Sequence, residues 1–164
     1  MIQGPVTSGR HGWAFNRPLI DLAEKGYVEA EFFLTGEAAT YALAPGAEFS
    51  RDGQWRAQPK GKVPFKTRFL VYRPGDPAKF NGTVVVEWTN QSSGESVPDW
   101  AYLNPQLARS GAAYVAVTAQ ALAVDGGTSL LGSPVTGLRD ADPARYGALD
   151  HPGDQYSYDI LDQV

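Results

Sequence analysis

Hydrophobic and polar positions alternate in the first part of the chain and separate into continuous runs further on. Between residues 28 and 35 apolar and more polar residues alternate, and the strand-like pattern extends over residues 27–44. Asp52-Gly53 predicts a hairpin turn, and residues 54–57 and 67–72 predict two further strands. We therefore expect a group of antiparallel strands at the start of the fold.

Two later segments lack this alternation. Residues 83–88 (TVVVEW) and 112–119 (AAYVAVTA) are continuous apolar or β-branched runs, which are typical of strands buried on both faces. A helix of about thirteen residues is predicted between them. A strand, a helix and a strand in this order form a βαβ unit, so the two strands should be parallel.

The helix in this unit has a predicted start, inner stripe and end. Ser96 is a suitable N-cap, and Gly111 follows the last predicted turn as a stop signal. The residues at helical spacing on one stripe are Trp100, Leu103 and Leu107. This stripe should pack the helix onto the sheet.

After the second buried run, residues 120–152 are predicted as a long loop. Asp154 then predicts the cap of a last helix with Ile160, Leu161 and Val164 on its inner stripe. A crossover helix usually delivers another parallel strand, and none follows here. We therefore expect residues 1–164 to be the N-terminal portion of a larger α/β domain, with an association-prone sheet edge at residues 112–119.

Composition narrows the possible functions. The 164 residues are 43% hydrophobic and 20% charged, as in a globular domain, and the net charge of -4 lacks the basic footprint of nucleic-acid or membrane binding. The chain has no Cys and only two His, without an HExxH motif, so no metal site is expected. Phosphate-binding GxxxxGK[ST] and GxGxxG loops are absent.

The sequence also bears on localisation. No run approaches the roughly 18 apolar residues that a membrane span needs. The first residues have no basic and then apolar leader, so no signal peptide is predicted. The protein is expected to be cytoplasmic, or secreted after removal of a leader.

Candidate chemistry lies after the two buried strands, because ligands of open α/β sheets bind beyond the carboxyl ends of the strands. The first such loop, residues 87–94, has three open interpretations. Its backbone amides could bind an oxyanion, Ser92 could be a nucleophile with His151 as base, or the loop could be a polar connection without chemistry. An acid for the Ser92 alternative would come from Asp125, Asp140 or Asp142. Gln120, after the second strand, is a candidate for the pocket wall or simply a loop amide.

Two further alternatives involve carboxylates and aromatic residues. Glu87 and Asp99 could form the carboxylate pair of a glycosidase, or Glu87 could be a structural carboxylate held by loop amides. Trp88 and Trp100 could form the platform of a non-catalytic carbohydrate- or ligand-binding module. His11, like His151, is a lone imidazole for which a structural role is the simpler interpretation.

Several blocks of sequence, taken together, resemble a known family. They are residues 4–13 (GPVTSGRHGW), 26–34 (GYVEAEFFL), 80–90 (FNGTVVVEWTN), 98–100 (PDW), 110–111 (SG), 117–120 (VTAQ), 145–147 (RYG), 151–154 (HPGD) and 156–160 (YSYDI). In this order they are similar to bacterial α/β-hydrolase-domain proteins, a family of serine esterases. The likeness runs almost from end to end, and Ser92-Ser93 departs from it, since members more often carry a Gly-rich stretch there.

This resemblance implies an α/β-hydrolase fold with antiparallel early strands and a parallel βαβ core. It implies hydrolysis of small-molecule carboxylic esters through an acyl-enzyme, without metal or organic cofactor. The nucleophile and its acid and base would lie beyond residue 164, in the remainder of the domain or a complementary fragment. Residues 1–164 would supply the oxyanion amides of Thr89 or Asn90 and a pocket with Trp88, Gln91 and Gln120, but no catalytic side chain.

Overall fold

A computed structural model of the chain describes residues 1–9 and 20–164. The main sheet of this described part contains β1 (Ile2–Gln3), β2 (Tyr27–Leu43), β3 (Ala57–Pro74), β4 (Val84–Trp88) and β5 (Ala113–Val117). The strands lie in the order β1-β2-β3-β5-β4. β4 and β5 are parallel and the other neighbours are antiparallel. The predicted α/β class with a mixed sheet and a parallel βαβ core is confirmed.

The remaining elements are short, except for one helix. They are α1 (Pro98–Ser110), α2 (Ala121–Asp125), the hairpin of β6 (Gly127–Thr128) and β7 (Pro134–Val135), α3 (Leu138–Ala141), α4 (Pro143–Tyr146) and α5 (Ser157–Asp162). Two 3₁₀ turns cover Pro77–Lys79 and Asp154–Tyr156. The prediction of a long loop over residues 120–152 is wrong, because that segment folds into three short helices and a hairpin.

The strands β2 and β3 form one long hairpin, in which the predicted Asp52-Gly53 turn lies within the connection. The two strands predicted at 54–57 and 67–72 are parts of a single strand, β3. Prolines at positions 59 and 64 interrupt the alternation there. The sheet accepts them because only Phe69–Tyr72 of β3 pair with β5, so this earlier part of β3 has β2 as its one neighbour in the described residues.

The hydrophobic core lies on both faces of β5, whose five residues are all buried. Tyr114 and Ala116 pack towards α1, in a cluster with Tyr72, Trp100 and Leu107. Alternate residues belong to the opposite cluster, which comprises Leu34, Ala38, Phe65, Phe69, Val115, Val117, Ala119 and Ile160. The prediction that this strand is buried on both faces is correct.

For β4 the same prediction is wrong. Val84 and Val86 are 51% and 52% exposed, whereas Val85 packs against the cluster under α1. Within the described residues β4 pairs with β5 alone, so the open edge belongs to β4. The edge predicted at residues 112–119 is absent because β5 lies between β3 and β4.

The helix α1 begins two residues after the predicted cap. Val97 occupies the N-cap position and Pro98 the first turn, while Gly111 ends the helix with a left-handed φ of 79°. Trp100 and Leu107 are buried as predicted, but Leu103 is exposed and Asn104 is buried instead. The amide of Asn104 is satisfied inside the helix, since Nδ2 donates to the carbonyl of Trp100 at 2.8 Å.

Candidate functional site

An open cleft of about 540 Å³ lies at the carboxyl ends of β4 and β5. Its described lining residues are Glu87, Trp88, Thr89, Asn90, Gln91, Ser92, Pro98, Asp99, Gln120, Leu122, Leu130 and Asp154. The residues predicted for a pocket, Trp88, Gln91 and Gln120, lie together on this wall. The Gln120 side chain makes no hydrogen bond to the described part of the protein, so its amide is free to meet a ligand.

The segment of residues 89–96, here called the β4 loop, is closed by its own backbone. The amide of Asn90 donates to the carbonyl of Ser96, and the amide of Ser96 donates to the carbonyl of Asn90, both at 2.9 Å. Inside the loop, the amide of Ser92 donates to Asn90 Oδ1 at 2.9 Å. These bonds define a tight turn on the wall of the cleft.

The two amides predicted to bind an oxyanion are already engaged. Thr89 donates its N–H to the carbonyl of Val117 at 3.1 Å, and Asn90 donates to Ser96. Both therefore serve the architecture, and the prediction for Thr89 and Asn90 needs correction. The next amide, that of Gln91, has no acceptor among the described residues although Gln91 is only 6% exposed. An unpartnered donor in a cleft wall is a candidate for binding a negative oxygen.

Ser92 and His151 do not form a catalytic pair. His151 Nε2 lies 2.9 Å from the carbonyl of Ala119, and Nδ1 accepts a hydrogen bond from the amide of Gly153 at 3.2 Å. One ring nitrogen donates and the other accepts, which leaves none to take a proton from a serine. Within the described residues Ser92 Oγ has no bond to His151, and His11 lies outside them. The prediction of a self-contained dyad is wrong.

Glu87 is a buried carboxylate at the end of β4. Its two oxygens accept the amides of Asp99 and Trp100, each at 3.2 Å, and so satisfy donors at the start of α1. Burial raises the pKa of Glu87 above its ordinary value; the two amides oppose this rise and the nearby charge of Asp99 adds to it. This geometry favours the structural interpretation of Glu87 over the glycosidase pair.

The two tryptophans predicted as a sugar platform occupy different environments. Trp100 is 1% exposed and stacks on Tyr72, with ring centroids 4.4 Å apart and planes 18° apart. A ring buried in this way cannot meet a sugar, so the platform prediction is wrong. Trp88 does line the cleft, and its ring also meets that of Tyr158 edge-on, with centroids 5.1 Å apart.

A group of four buried charges was not predicted from the sequence. It comprises Glu31, Arg68, Glu95 and Arg145 and is here called the ionic network. Arg68 on β3 pairs with Glu31 at 3.2 Å and contacts Glu95, while Arg145 of α4 contacts Glu31. Burial disfavours the charge of Arg68, but Glu95 and Glu31 outweigh it and raise the pKa of the guanidinium. The sequence carried no signal for it, since a charged residue at a polar position of a strand pattern, such as Glu31, predicts exposure and not burial.

The ionic network reaches the β4 loop through Glu95. Its Oε1 accepts the hydroxyl of Thr118 at 2.6 Å and lies 3.2 Å from Thr89 Oγ1. Thr89 Oγ1 in turn accepts Gln91 Nε2 at 3.2 Å. The loop with the unpartnered amide is thus connected by side chains to a buried charge, as well as by its own backbone.

The described lining of the cleft carries acidic side chains and no Lys or Arg. Besides Glu87, these are Asp99 and Asp154, both of which are exposed. Asp154 Oδ1 accepts the amide of Ala121 at 2.8 Å, so this residue caps α2 and not the helix predicted to follow it. Such a wall favours neutral or cationic ligand groups over anionic ones.

Comparison with known families gives one result. The model of the alpha/beta hydrolase domain matches residues 2–164. No curated protein and no solved structure matches the chain. The described residues contain no helix long and apolar enough to cross a membrane, and no group of three or more His, Asp or Glu side chains placed to hold a metal.

Proposed function

Because this chain belongs to the alpha/beta hydrolase domain family, we propose that it forms part of a carboxylic-ester hydrolase with a serine nucleophile. In this reaction the serine oxygen attacks the ester carbonyl carbon, and a base takes the serine proton. The tetrahedral intermediate expels the alcohol, which receives that proton, and leaves an acyl-serine. Water then releases the carboxylic acid and restores the serine. The reaction needs no metal or organic cofactor.

The observation that carries the proposal is the unpartnered amide of Gln91 beside a cleft at the carboxyl ends of β4 and β5. Acyl transfer develops negative charge on the carbonyl oxygen, and a backbone N–H in a sheltered wall stabilises it without reorganisation. We therefore assign the oxyanion role to Gln91 in place of Thr89 and Asn90. Trp88 and Gln120 form the adjoining pocket wall for a small ester.

The nucleophile is proposed to come from a strand that pairs with the open edge of β4. Two features support this: β4 has one strand neighbour among the described residues, and Val84 and Val86 are half exposed beside that edge. A strand added there would bring its carboxyl end next to the cleft if it ran parallel to β4. It could belong to the remainder of the domain or to a complementary fragment.

A serine-directed fluorophosphonate tests this assignment. The protein is purified as its source expresses it, its intact mass is measured, and the labelled peptide is identified by mass spectrometry. We expect label on a serine outside residues 1–164. Label on Ser92 would instead support a nucleophile within the β4 loop, and absence of label in folded protein would contradict the hydrolase proposal.

A pair of substitutions tests the oxyanion role. Gln91→Pro removes the backbone N–H, whereas Gln91→Ala retains it and removes only the side chain. Loss of one oxyanion donor lowers kcat about 100- to 1,000-fold, so Gln91→Pro should fall by that factor. Gln91→Ala keeps the donor and loses only the bond of its side chain to Thr89 Oγ1, so its kcat should fall by less. Equal losses in the two variants would assign the effect to the side chain. Circular dichroism and thermal melting of both variants control for folding.

A further inference from the structure

We infer that Glu95 is the positioning residue of the β4 loop and holds the Gln91 amide where the proposed reaction requires it; this inference rests on the proposed function. Glu95 lies near the end of the loop, yet its carboxylate lies 3.2 Å from Thr89 Oγ1 at the start of the loop. The carbonyl of Val117 on β5 lies 3.0 Å from the same Oγ1, so the two acceptors share the one hydroxyl proton of Thr89. The same carboxylate oxygen of Glu95 accepts the hydroxyl of Thr118, just after β5. The carboxylate of Glu95 therefore connects both ends of the loop with Thr118, in addition to the direct bonds from Thr89 to Val117.

The connection continues to the proposed oxyanion donor. Gln91 Nε2 donates to Thr89 Oγ1 at 3.2 Å, which anchors the side chain of the residue whose backbone amide is unpartnered. Gln91 Oε1 is buried and has no hydrogen-bond partner among the described residues, so Nε2 provides the polar anchor of this side chain. Movement of Thr89 or Glu95 would therefore move the Gln91 amide relative to the cleft.

The negative charge of Glu95 is important for this role because Arg68 lies beneath it. Arg68 Nε also donates to Thr118 Oγ1 at 3.1 Å, so the guanidinium and the carboxylate hold the same threonine. Hydrogen bonds to an ionised group are stronger than those between neutral groups. A neutral residue at position 95 would keep the shape of the contact and weaken every bond in it.

The other carboxylate of the ionic network offers a matched control. Glu31 also pairs with Arg68, and both carboxylates are buried, with side-chain exposures of 0% for Glu31 and 7% for Glu95. Its remaining contacts within the described residues are with Arg145 and with the hydroxyl of Tyr146, which donates at 2.8 Å. Glu31 thus balances the buried cations at a distance from the loop, whereas Glu95 does so in contact with it.

Two pairs of variants separate positioning from general stability. Glu95→Gln removes a buried negative charge that contacts the β4 loop. Glu31→Gln removes a buried negative charge that lies away from the loop. Thr89→Val and Tyr146→Phe each remove one hydroxyl at those two carboxylates and leave all four charges in place. Thr89→Val also removes the contact to the carbonyl of Val117, which Glu95→Gln leaves intact, so an effect shared by both variants is assigned to Glu95. The second pair retains the test if loss of a charge prevents folding.

The first measurement is amide hydrogen exchange in the chain, with global stability determined by chemical denaturation. The amide of Asn90 reports on the loop, since it is bonded to Ser96. After correction for global stability, we expect Glu95→Gln and Thr89→Val to speed its exchange about tenfold or more, from the loss of hydrogen bonds to an ionised group. Glu31→Gln and Tyr146→Phe should leave it at the wild-type value. Equal effects on both sides of the network, or none with Thr89→Val, would overturn the inference.

The second measurement is ester hydrolysis by the protein as its source expresses it. Misplacement of an oxyanion donor lowers kcat with little change in KM, because the substrate carbonyl binds less tightly to this donor than the intermediate does. We expect that pattern for Glu95→Gln and Thr89→Val and wild-type constants for Tyr146→Phe. If the phosphonate labels neither the wild type nor any of the variants, the proposed function is refuted. The exchange experiment would still decide the role of Glu95.

Discussion

The two parallel strands, β4 and β5, have similar sequences and different environments. Each has five residues, mostly β-branched or small. β5 lies between β3 and β4 and is buried at every position, whereas β4 has one neighbour in the described part of the sheet and exposes Val84 and Val86. A hydrophobic run therefore indicates that a segment suits the interior of a sheet, but it does not give the number of its neighbours.

The two strands also end differently. β5 leads into Thr118 and Ala119, whose hydroxyl and carbonyl bind Glu95 and His151. β4 leads into the β4 loop and is fixed at its end by Glu87, which holds the first amides of α1. The cleft thus lies at the ends of a fully buried strand and of a strand that, in the described part of the sheet, forms the edge and is held by a helix and a buried carboxylate.

The largest difference is expected when a charge is placed on each strand. In residues 1–164, Val117→Asp buries an unpaired carboxylate and should lower the free energy of unfolding by about 5 kcal/mol. Val86→Asp lies on the half-exposed strand and should lower it by about 0.5 kcal/mol. Urea denaturation followed by fluorescence measures both. A large loss with Val86→Asp would show that this side of β4 is covered in solution.

Sequence alone predicts the order and direction of these strands but not their neighbours. The βαβ unit follows from the runs at 83–88 and 112–119, because the spacing allows a crossover helix. The sheet order does not follow, since insertion of β5 between β3 and β4 depends on pairing between residues such as Phe69 and Val117. Local patterns carry no information on a contact so distant in the chain.

The candidate site shows the same limit. The cleft at the ends of β4 and β5 could be located from the rule for open α/β sheets, and Trp88, Gln91 and Gln120 do line it. The sequence could not show which backbone amide lacks a partner, because the bond from the amide of Asn90 to Ser96 depends on the shape of the β4 loop. Likewise, His151 becomes a structural residue only when Ala119 and Gly153 approach its two nitrogens.

A second comparison uses two tryptophans, one in the core under α1 and the other at the partly open end of β4. Trp100→Ala empties a fully packed site against Tyr72 and should cost about 4 kcal/mol of unfolding free energy. Trp88→Ala, at the partly open end of β4, should cost about 1 kcal/mol, since less surface leaves water there. Thermal and chemical denaturation of both variants provide the measurement. Similar costs would mean that Trp88 is more enclosed in solution than it is in the structure.

The open edge of β4 should also determine self-association of residues 1–164. A strand with one unpaired edge and exposed valines favours contact with a second chain, and a lysine on it opposes this contact. We expect Val86→Lys to weaken association about tenfold, equivalent to roughly 1.4 kcal/mol, in sedimentation-velocity experiments. Leu103→Lys is the control, because Leu103 is another exposed apolar residue but lies on α1. If both lysines act equally, association is a general effect of surface charge.

The smallest effect concerns the carboxylate that fixes the end of β4. Burial, with a contribution from Asp99, raises the pKa of Glu87 in the folded chain above its usual value of 4.5. The folded state therefore binds this proton more tightly than the unfolded state does. The stabilisation of the folded state that comes from protonation of Glu87 is complete below the unfolded-state pKa, and it is lost as the pH rises through the folded-state pKa. Glu87→Gln cannot titrate and should lack this decrease.

Chemical denaturation of wild type and Glu87→Gln across the weakly acid range measures the free energy of unfolding of each. The stability of wild type relative to Glu87→Gln should fall as the pH rises. Asp99→Asn provides a graded control, because removal of the neighbouring charge lowers the pKa of Glu87 and should reduce the slope without abolishing it. Parallel pH profiles for wild type and Glu87→Gln would show that Glu87 is better solvated than its position between β4 and α1 implies. In that case the amides at the start of α1 would still hold the end of β4, and burial would not raise the pKa of Glu87.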